Sequence, residues 1–218
     1  MSNSPTQSVI DAAVEIIQRE SNAIADVALQ VDAGFVEIAS LLMACTGKVI
    51  VAGVGTSGFI ARRAAHVFSV SGTPSLFLHP TEGQHGSVGA LRANDILIVL
   101  SKGGSSEEVN RLASLASHEH ITVVALTSDG SSELASLADH VVVLKRDDIA
   151  DPGGLIALGS TLAYAAWLDA LSVVLMRARS YSWAQVMFTH PGGAVGKLSS
   201  LPAKLDALEI PATSVSRA

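Results

Sequence analysis

The sequence predicts an α/β domain in which a doubly wound, five-stranded parallel sheet lies between two layers of helices. Three observations predict this fold. Short apolar runs rich in β-branched residues recur along the chain, as in strands that are buried on both faces. Segments with helical periodicity separate these runs, so successive strands are joined by helices. Such crossovers are right-handed, which gives a three-layer αβα sandwich with strand order 2-1-3-4-5.

The composition favours one globular unit with a large core. The chain has 218 residues, of which 49% are hydrophobic and 16% charged. The net charge is −6 and the basic residues do not cluster, so nucleic acid and anionic membranes are not expected as partners. The single cysteine, Cys45, excludes an internal disulfide and a cysteine-rich zinc site. We expect Cys45 to lie in a helix as a small hydrophobe.

The chain is predicted to have three parts. These are N-terminal helices packed on the domain (1–46), a ligand-binding domain (47–198) and a partly disordered C-terminal tail (199–218). Residues 1–9 are polar and lack the pattern of a signal peptide. The most apolar stretch, 154–178, includes Asp169, and we interpret it as a buried or subunit-interface helix, not a membrane span. A cytoplasmic protein is therefore expected.

The elements follow in a regular order. Helical spacing covers 8–46, where Asp32-Ala33-Gly34 marks a helix junction unless Gly34 lies within the second helix. The predicted strands are 49–52, 74–78, 95–100, 121–126 and 141–144. The predicted helices are 60–70, a segment ending near 117, a short one after Gly130, a long one ending near 179, and 182–187. The remaining segments, 79–86, 147–154 and 189–196, are predicted as irregular loops.

Two glycine- and hydroxyl-rich turns follow the first and third strands. In this flavodoxin-like order both turns lie at the switch point, where ligands bind beyond the carboxyl ends of the strands. Helix N-terminal amides and hydroxyl groups in such turns bind phosphate, and a lysine adds charge. The predicted phosphate-binding residues are Gly55, Thr56, Ser57, Ser101, Lys102, Gly103, Ser105 and Ser106. The alternative is that the hydroxyl groups only cap helices, as Thr56 or Ser57 can.

Two common nucleotide sites are not expected. A dinucleotide site needs an acidic residue about 20 residues past its glycine loop, at a strand end. Leu76-Phe77-Leu78 occupies that place, so a nicotinamide cofactor is not expected. The chain also lacks a GxxxxGK[ST] sequence, which argues against a nucleoside triphosphatase.

Four motifs, in this order and spacing, resemble the SIS (sugar isomerase) domain family, and most closely its arabinose-5-phosphate isomerases. They are Gly53-Val-Gly-Thr-Ser-Gly58, His79-Pro-Thr-Glu-Gly-Gln-His-Gly86, Ser101-Lys-Gly-Gly-Ser-Ser-Glu-Glu108 and Thr189-His-Pro-Gly-Gly193. The resemblance covers roughly residues 40–200, and a stretch from Pro152 to Asp169 adds to it. The paired CBS domains that often follow in this family are not present in these 218 residues.

The resemblance implies an aldose–ketose isomerase of phosphorylated sugars that uses an enediol mechanism without metal or organic cofactor. It implies that Glu108 is the base and that His190 assists ring opening or proton transfer. His85 matches a further family position and is expected to reach a neighbouring subunit's site, because family sites are built at subunit interfaces. A homodimer or homotetramer is therefore expected. Ordinary structural roles remain open for all three, as a first-turn glutamate and two loop histidines.

The chain also departs from the isomerase pattern. Thr56 stands where the isomerases carry a lysine, although Gly-x-Gly-Thr-Ser resembles the isomerase domains of glucosamine-phosphate synthases. Lys102 replaces the usual asparagine and is predicted to restore the charge from the neighbouring loop. A second family glutamate aligns with Ile149, close to Asp147 and Asp148. Two alternatives therefore remain: a non-catalytic protein that binds or senses a phosphosugar, or a SIS isomerase or epimerase for another phosphosugar.

Overall fold

The computed structural model describes residues 4–145 and 150–212, and its sheet has the predicted topology. Five parallel strands lie in the order β2-β1-β3-β4-β5. They are β1 (Val49–Gly53), β2 (Ser75–Leu78), β3 (Ile96–Leu100), β4 (Thr122–Thr127) and β5 (His140–Val143). The predicted fold class and strand order are thus confirmed, and each strand lies within a residue or so of its predicted bounds.

The α-helices of the described residues cover both faces of the sheet. They are α1 (Pro5–Ala28), α2 (Ala33–Ala44), α3 (Gly55–Val70), α4 (Pro80–Gln84), α5 (Glu107–His118), α6 (Glu133–Leu137), α7 (Gly159–Ala178) and α8 (Trp183–Phe188). Asp32 caps α2 by accepting a hydrogen bond from Gly34 N, so the predicted junction is present and Gly34 lies inside the second helix. Cys45 follows α2 directly in an extended conformation, so the expectation that it lies in a helix is wrong; burial raises the pKa of its thiol.

The core consists of two layers, one on each face of the sheet. Alternate residues of β1 enter opposite layers, so Val51 packs with α2, α3 and α7 whereas Ile50 packs with α5. In the first layer the Trp167 and Phe35 rings meet edge to face at 5.2 Å. These two layers fix α3 and α5, whose first turns lie at the carboxyl edge of the sheet.

Helix α7 is the apolar segment that the sequence singled out. Among the described residues, α7 has the length and composition that a membrane span needs. The helices α1 and α2 meet the same criterion only when they are taken together, and they are bent by 78° relative to each other. Of the most apolar window of α7, 67% is buried within the fold. This burial is what a core helix of a soluble domain shows. It agrees with the prediction of a buried helix.

The segment after β2 differs from its prediction as a loop. Residues 80–84 form the short helix α4, and residues 87–90 form one turn of 3-10 helix. His79 Nδ1 accepts a hydrogen bond from Thr81 N, and Pro80 supplies a fixed φ at the first helical position. This cap and this proline start a helix too short to produce a periodic pattern in the sequence.

The C-terminal segment 199–212 has no regular secondary structure but is attached to the end of α7 and to α8. Trp183 Nε1 donates to the Ala203 carbonyl at 2.8 Å, and Arg177 Nε donates to the Asp206 carbonyl at 2.7 Å. Ile210 packs against the first core layer. The expected disorder therefore does not extend to this part of the tail, and residues 213–218 lie outside the described residues.

Candidate active site

The two turns singled out in the sequence leave the sheet from neighbouring strands. Gly53 and Leu100 are partners in the register of β1 and β3, so the segments 54–58 and 101–106 begin side by side. Adjacent strands are about 5 Å apart, a distance that one phosphoryl group can bridge. Because β2 lies on the other side of β1, this is the switch point of the sheet.

The first of these turns forms the start of α3. Gly55 has a φ of +54°, and Thr56 and Ser57 follow in the first helical turn. Val54 occupies the N-cap position and no side chain of the described residues caps the helix, so the alternative in which Thr56 or Ser57 serves as its cap is wrong. The helix begins earlier than expected, which places both hydroxyl groups within the turn whose amide groups point out of the helix.

Gly58 brings α3 close to the end of β1. A Cβ atom at this position would lie 2.7 Å from the Gly53 carbonyl oxygen. No larger residue fits there without a shift of the backbone. The close approach holds the amino end of α3 against the strand end, as an anion site at a strand–helix turn requires.

The second turn is fixed to the end of the next strand. The Lys102 carbonyl accepts hydrogen bonds from Ser128 N at 3.0 Å and from Thr127 Oγ1 at 3.2 Å. Ser101 is buried, and its Oγ lies 3.4 Å from Ser106 Oγ. Ser106 occupies the N-cap position of α5, yet its hydroxyl group makes no capping bond. The capping alternative therefore does not describe Thr56, Ser57 or Ser106.

Lys102 is paired with a buried carboxylate. Its Nζ lies 2.8 Å from Asp151 Oδ2 and 3.1 Å from the Gly154 carbonyl oxygen. Asp151 Oδ1 accepts hydrogen bonds from the amides of Leu158 and Ser160, at 2.9 and 3.0 Å. The Asp151 side chain is 1% exposed and that of Lys102 is 25% exposed. The pair thus joins the second turn to the segment that precedes α7.

The protonation state of Asp151 follows from these contacts. Burial by itself would raise the pKa of this carboxyl group. The Lys102 ammonium group and the amides of Ser160 and Leu158 more than offset that effect, so the pKa lies well below its usual range. Asp151 is therefore an anion at neutral pH and neutralises the lysine at the site. Sequence reasoning missed this residue because no spacing rule relates it to Lys102.

Glu108 lies in the first turn of α5 and is exposed, as is Glu107. The side-chain amide of Gln84 donates to the Glu108 carbonyl oxygen at 3.4 Å, and His85 follows Gln84 directly. Helix α4 packs on α5 so closely that a Cβ on Gly83 would lie 2.7 Å from Leu112 Cδ1. The segment that carries His85 therefore lies beside Glu108 within one chain.

His190 lies apart from these contacts, in the loop after α8. Its Nδ1 is 2.6 Å from the Val186 carbonyl oxygen and 3.2 Å from Thr189 Oγ1. Because a carbonyl only accepts, Nδ1 carries the proton and Nε2 is the acceptor of the neutral ring. Its described hydrogen bonds connect His190 to its own segment and not to the two turns. Ile149, Asp147 and Asp148, the positions near the second family glutamate, lie outside the described residues.

A groove at the opposite edge of the sheet is not part of this arrangement. It has a volume of about 850 Å³ and is lined at the amino ends of the strands, among others by Cys45, Asp95, His120 and His140. Ligands of doubly wound sheets bind at the carboxyl edge, so we place the candidate site at the two turns. Within residues 4–145 and 150–212, no three His, Cys, Asp or Glu side chains cluster as metal ligands would.

The sheet order and the helices on both of its faces define the class of protein: a doubly wound α/β domain, with two polar turns at the carboxyl edge of its sheet. The sequence profile of the SIS domain matches residues 42–177. The chain therefore belongs to the SIS domain family, as its motifs predict.

Relatives with more specific names match most of the chain. Arabinose 5-phosphate isomerase KdsD of Shigella flexneri is 34% identical over 186 residues, covering 85% of this chain and 57% of that protein. KdsD of Pseudomonas aeruginosa is 32% identical over 197 residues, covering 90% of this chain and 60% of the relative. The chain thus spans somewhat more than half the length of these curated relatives.

Two of the solved chains that are similar to this one are matched over their whole length. A Listeria monocytogenes structure has a TM-score of 0.83 and 33% identity, with 87% of this chain and 100% of that one covered. An Escherichia coli CFT073 protein in complex with A5P has a TM-score of 0.82 and 29% identity, with 88% and 100% covered.

Proposed function

We propose that this protein is a phosphosugar aldose–ketose isomerase, most similar in substrate to enzymes that interconvert arabinose 5-phosphate and ribulose 5-phosphate. The observation that carries the proposal is the register of Gly53 with Leu100, since it sets the two turns side by side, with Glu108 in the first turn of the helix that follows the second of them. The names of the KdsD relatives and the A5P complex of the E. coli protein support the substrate class.

In the proposed reaction the two turns hold the phosphate through hydroxyl and amide groups. The Glu108 carboxylate removes the proton from C2 of the open-chain aldose, and the electron pair forms the C1=C2 bond of an enediol while O1 gains a proton. The hydroxyl at C2 then loses its proton, C2=O forms, and C1 receives the proton from Glu108. These steps move only protons, so the proposal includes no cofactor.

His190 and His85 complete the proposed mechanism. His190 assists ring opening or the proton transfer between O1 and O2, since its Nε2 is an acceptor in the neutral ring. His85 acts at a site from the adjacent α4 segment or from a neighbouring subunit. Lys102 holds the phosphate or a polarised oxygen in place of the lysine that Thr56 replaces, with Asp151 as its counter-ion.

We further propose a homodimer or homotetramer in the cytoplasm, with sites at the subunit interfaces and no nucleic acid or membrane partner. Large apolar side chains are exposed close to the site residues. Phe59 is 75% exposed near Thr56, Leu155 is 88% exposed beside Gly154, and Phe188 is 85% exposed near His190. Large apolar side chains that are exposed beside a proposed site support its burial against another subunit.

The role of Glu108 is tested with Glu108→Gln, for which Glu107→Gln is a matched control. Both glutamates are exposed in the first turn of α5, so each variant loses the same charge at the same helix end. Loss of a general base lowers kcat about 100-fold or more, and the control retains kcat within about threefold. An assay coupled to ketose formation measures both. If Glu108→Gln retained the wild-type rate, the proposed mechanism would be wrong.

The second candidate function is a non-catalytic phosphosugar sensor. It is favoured by Thr56 at the position of the family lysine and by the neutralised charge of Lys102. A thermal-shift screen of tetrose, pentose and hexose phosphates, followed by isomerase assays of those that bind, separates the two candidates. A sensor is stabilised by a sugar phosphate that it does not convert. The screen also identifies an isomerase or epimerase for another phosphosugar.

A further inference from the structure

The peptide after Gly103 has an unusual and well-fixed conformation. Gly104 has a φ of +63°, a region that favours glycine. A Cβ atom on Gly104 would lie 2.1 Å from Ser132 Oγ and 2.4 Å from Ser132 Cβ. The second turn therefore packs closely against the start of α6, and only glycine fits at position 104.

Two donors hold the Gly104 carbonyl group. Leu134 N donates to it at 3.1 Å and Asn110 Nδ2 at 3.2 Å. In a planar trans peptide the C=O and the following N–H point in opposite directions. The Gly104 carbonyl points into the junction of α5 and α6, so the Ser105 N–H points away from it. Ser105 is exposed, and its amide thus faces the solvent side of the turn, where a ligand would lie.

Asn110 is itself firmly placed. It is 4% exposed, and its Nδ2 also donates to Glu133 Oε2 at 2.9 Å. It follows Glu108 by two residues on α5, a rotation of about 200°. Glu108 therefore faces outward while Asn110 faces the interior and the turn. The same helix start carries the proposed base and a side chain that holds the proposed phosphate loop.

We propose that Asn110 is a positioning residue: it fixes the Gly104–Ser105 peptide so that the Ser105 amide donates to the phosphate of the substrate. The inference rests on the proposed function in that the ligand is a phosphorylated sugar. Asn110 does not touch the substrate. It acts through the orientation of one peptide group, together with the amide of Leu134 and under the steric limit set by Ser132.

The direct test is a titration of the wild-type protein with inorganic phosphate, monitored by ¹⁵N–¹H correlation spectra. The Ser105 amide is expected to shift with phosphate concentration. Asn110→Ala removes the side-chain amide, and Asn110→Leu replaces it with an apolar group of similar size. Each is expected to weaken phosphate binding and raise KM about tenfold, the effect of one hydrogen bond to a charged group, with kcat within about twofold.

Thr73→Val is the matched control. Thr73 is 1% exposed, and its Oγ1 has no hydrogen-bond partner among residues 4–145 and 150–212, so this variant also alters a buried polar side chain without changing its shape. It is expected to bind phosphate as the wild type does. A purely structural role of Asn110 would lower the melting temperature of its variants and leave phosphate affinity and KM unchanged, which would overturn the proposal.

The two proposals fail in different ways. A wild-type protein that binds phosphate but converts no sugar contradicts the isomerase, while the Ser105 shift and the Asn110 variants still decide the positioning role. A wild-type isomerase whose Ser105 amide does not respond to phosphate overturns the positioning role alone, even where the Asn110 variants do not fold. A wild-type protein with no affinity for phosphate contradicts the positioning role as well.

Discussion

At the scale of single residues, the ion pair between Lys102 and Asp151 distinguishes this site from its sequence prediction. Lys102 was expected to supply charge to the phosphate. Its ammonium group contacts a buried carboxylate that also accepts two amide hydrogen bonds at the start of α7. Any charge that Lys102 contributes to a ligand is therefore balanced by Asp151, and the pair fixes the position of the ammonium group.

Asp151→Asn tests the energetic part of this arrangement. A carboxyl group whose folded-state pKa lies below its unfolded value stabilises the fold above about pH 4, and this stabilisation is lost as the pH falls. At pH 7 the free energy of unfolding of the variant is expected to be about 2 kcal/mol lower than that of the wild type, because Lys102 loses its counter-ion. Between pH 7 and pH 3 the free energy of unfolding is expected to fall less in the variant than in the wild type. Urea unfolding at both pH values measures this.

Two comparisons control that experiment. Asp206 is exposed, so Asp206→Asn removes a carboxylate without a buried partner and is expected to leave the unfolding free energy within about 0.5 kcal/mol. Asp95 keeps part of the pH dependence in every variant. Burial alone would raise the pKa of Asp95, but the hydrogen bonds from Lys48 and Arg92 lower it by more. The pKa of Asp95 therefore lies below its usual value. Identical pH profiles of Asp151→Asn and the wild type would show that the pair contributes nothing to stability.

The residue types of the candidate site could be predicted, whereas their partners could not. Glycine and hydroxyl residues after two strands indicate an anion site because of what their backbone and side chains can donate. The contact of Lys102 with Asp151 depends on how the segment before α7 returns to the sheet, over a separation of 49 residues. The contact of Asn110 with Gly104 likewise follows from a positive φ that the sequence does not display.

At the scale of elements, the periodicity of the sequence predicted the long segments but missed the short helix α4. Strands β1 and β3 are continuous apolar runs, so their bounds were predicted closely. The helix α4 spans only five residues and depends on the cap from His79. Helix α3 begins at Gly55, although a glycine pair normally indicates a turn, because Gly58 allows the helix to dock on the strand end.

Helix α1 carries an apolar stripe that we expect to form an interface between subunits. Only Val27 of its 24 residues is buried, and an apolar stripe is exposed along it: Val9, Ile10, Val14, Ile17 and Ile24. Ile17, which is 65% exposed, lies near the middle of the stripe. Ile17→Lys places a charge there and is expected to dissociate the oligomer, with a loss of at least tenfold in association affinity. Sedimentation velocity over a range of concentrations measures the change.

Asn22→Lys is the control for this helix. Asn22 is exposed about 140° around α1 from Ile17, where its Oδ1 accepts a hydrogen bond from the Gln18 side chain, so the substitution adds the same charge away from the stripe. It is expected to leave the assembly unchanged. A wild-type protein that sediments as a monomer, or an Ile17→Lys variant that assembles like the wild type, would contradict an interface at this stripe.

At the scale of the whole molecule, the topology brings distant motifs to one edge of the sheet. The strand order could be predicted because right-handed crossovers leave few alternatives, and it sets the turns at 54–58 and 101–106 beside each other. The position of His190 could not be predicted in the same way. Its described hydrogen bonds are local and do not fix its place relative to Glu108, and we propose that subunit assembly brings it to the site.

The central claim is that the edge where these turns meet holds a sugar phosphate while Glu108 moves its proton. The most direct measurement is incubation of the wild-type protein with arabinose 5-phosphate in D₂O, followed by NMR of the sugar carbons. We expect ribulose 5-phosphate to form and deuterium to enter at the carbon beside the carbonyl, and we expect both to be lost in Glu108→Gln. A sugar phosphate that binds the wild-type protein but gives neither ketose nor deuterium incorporation would contradict it.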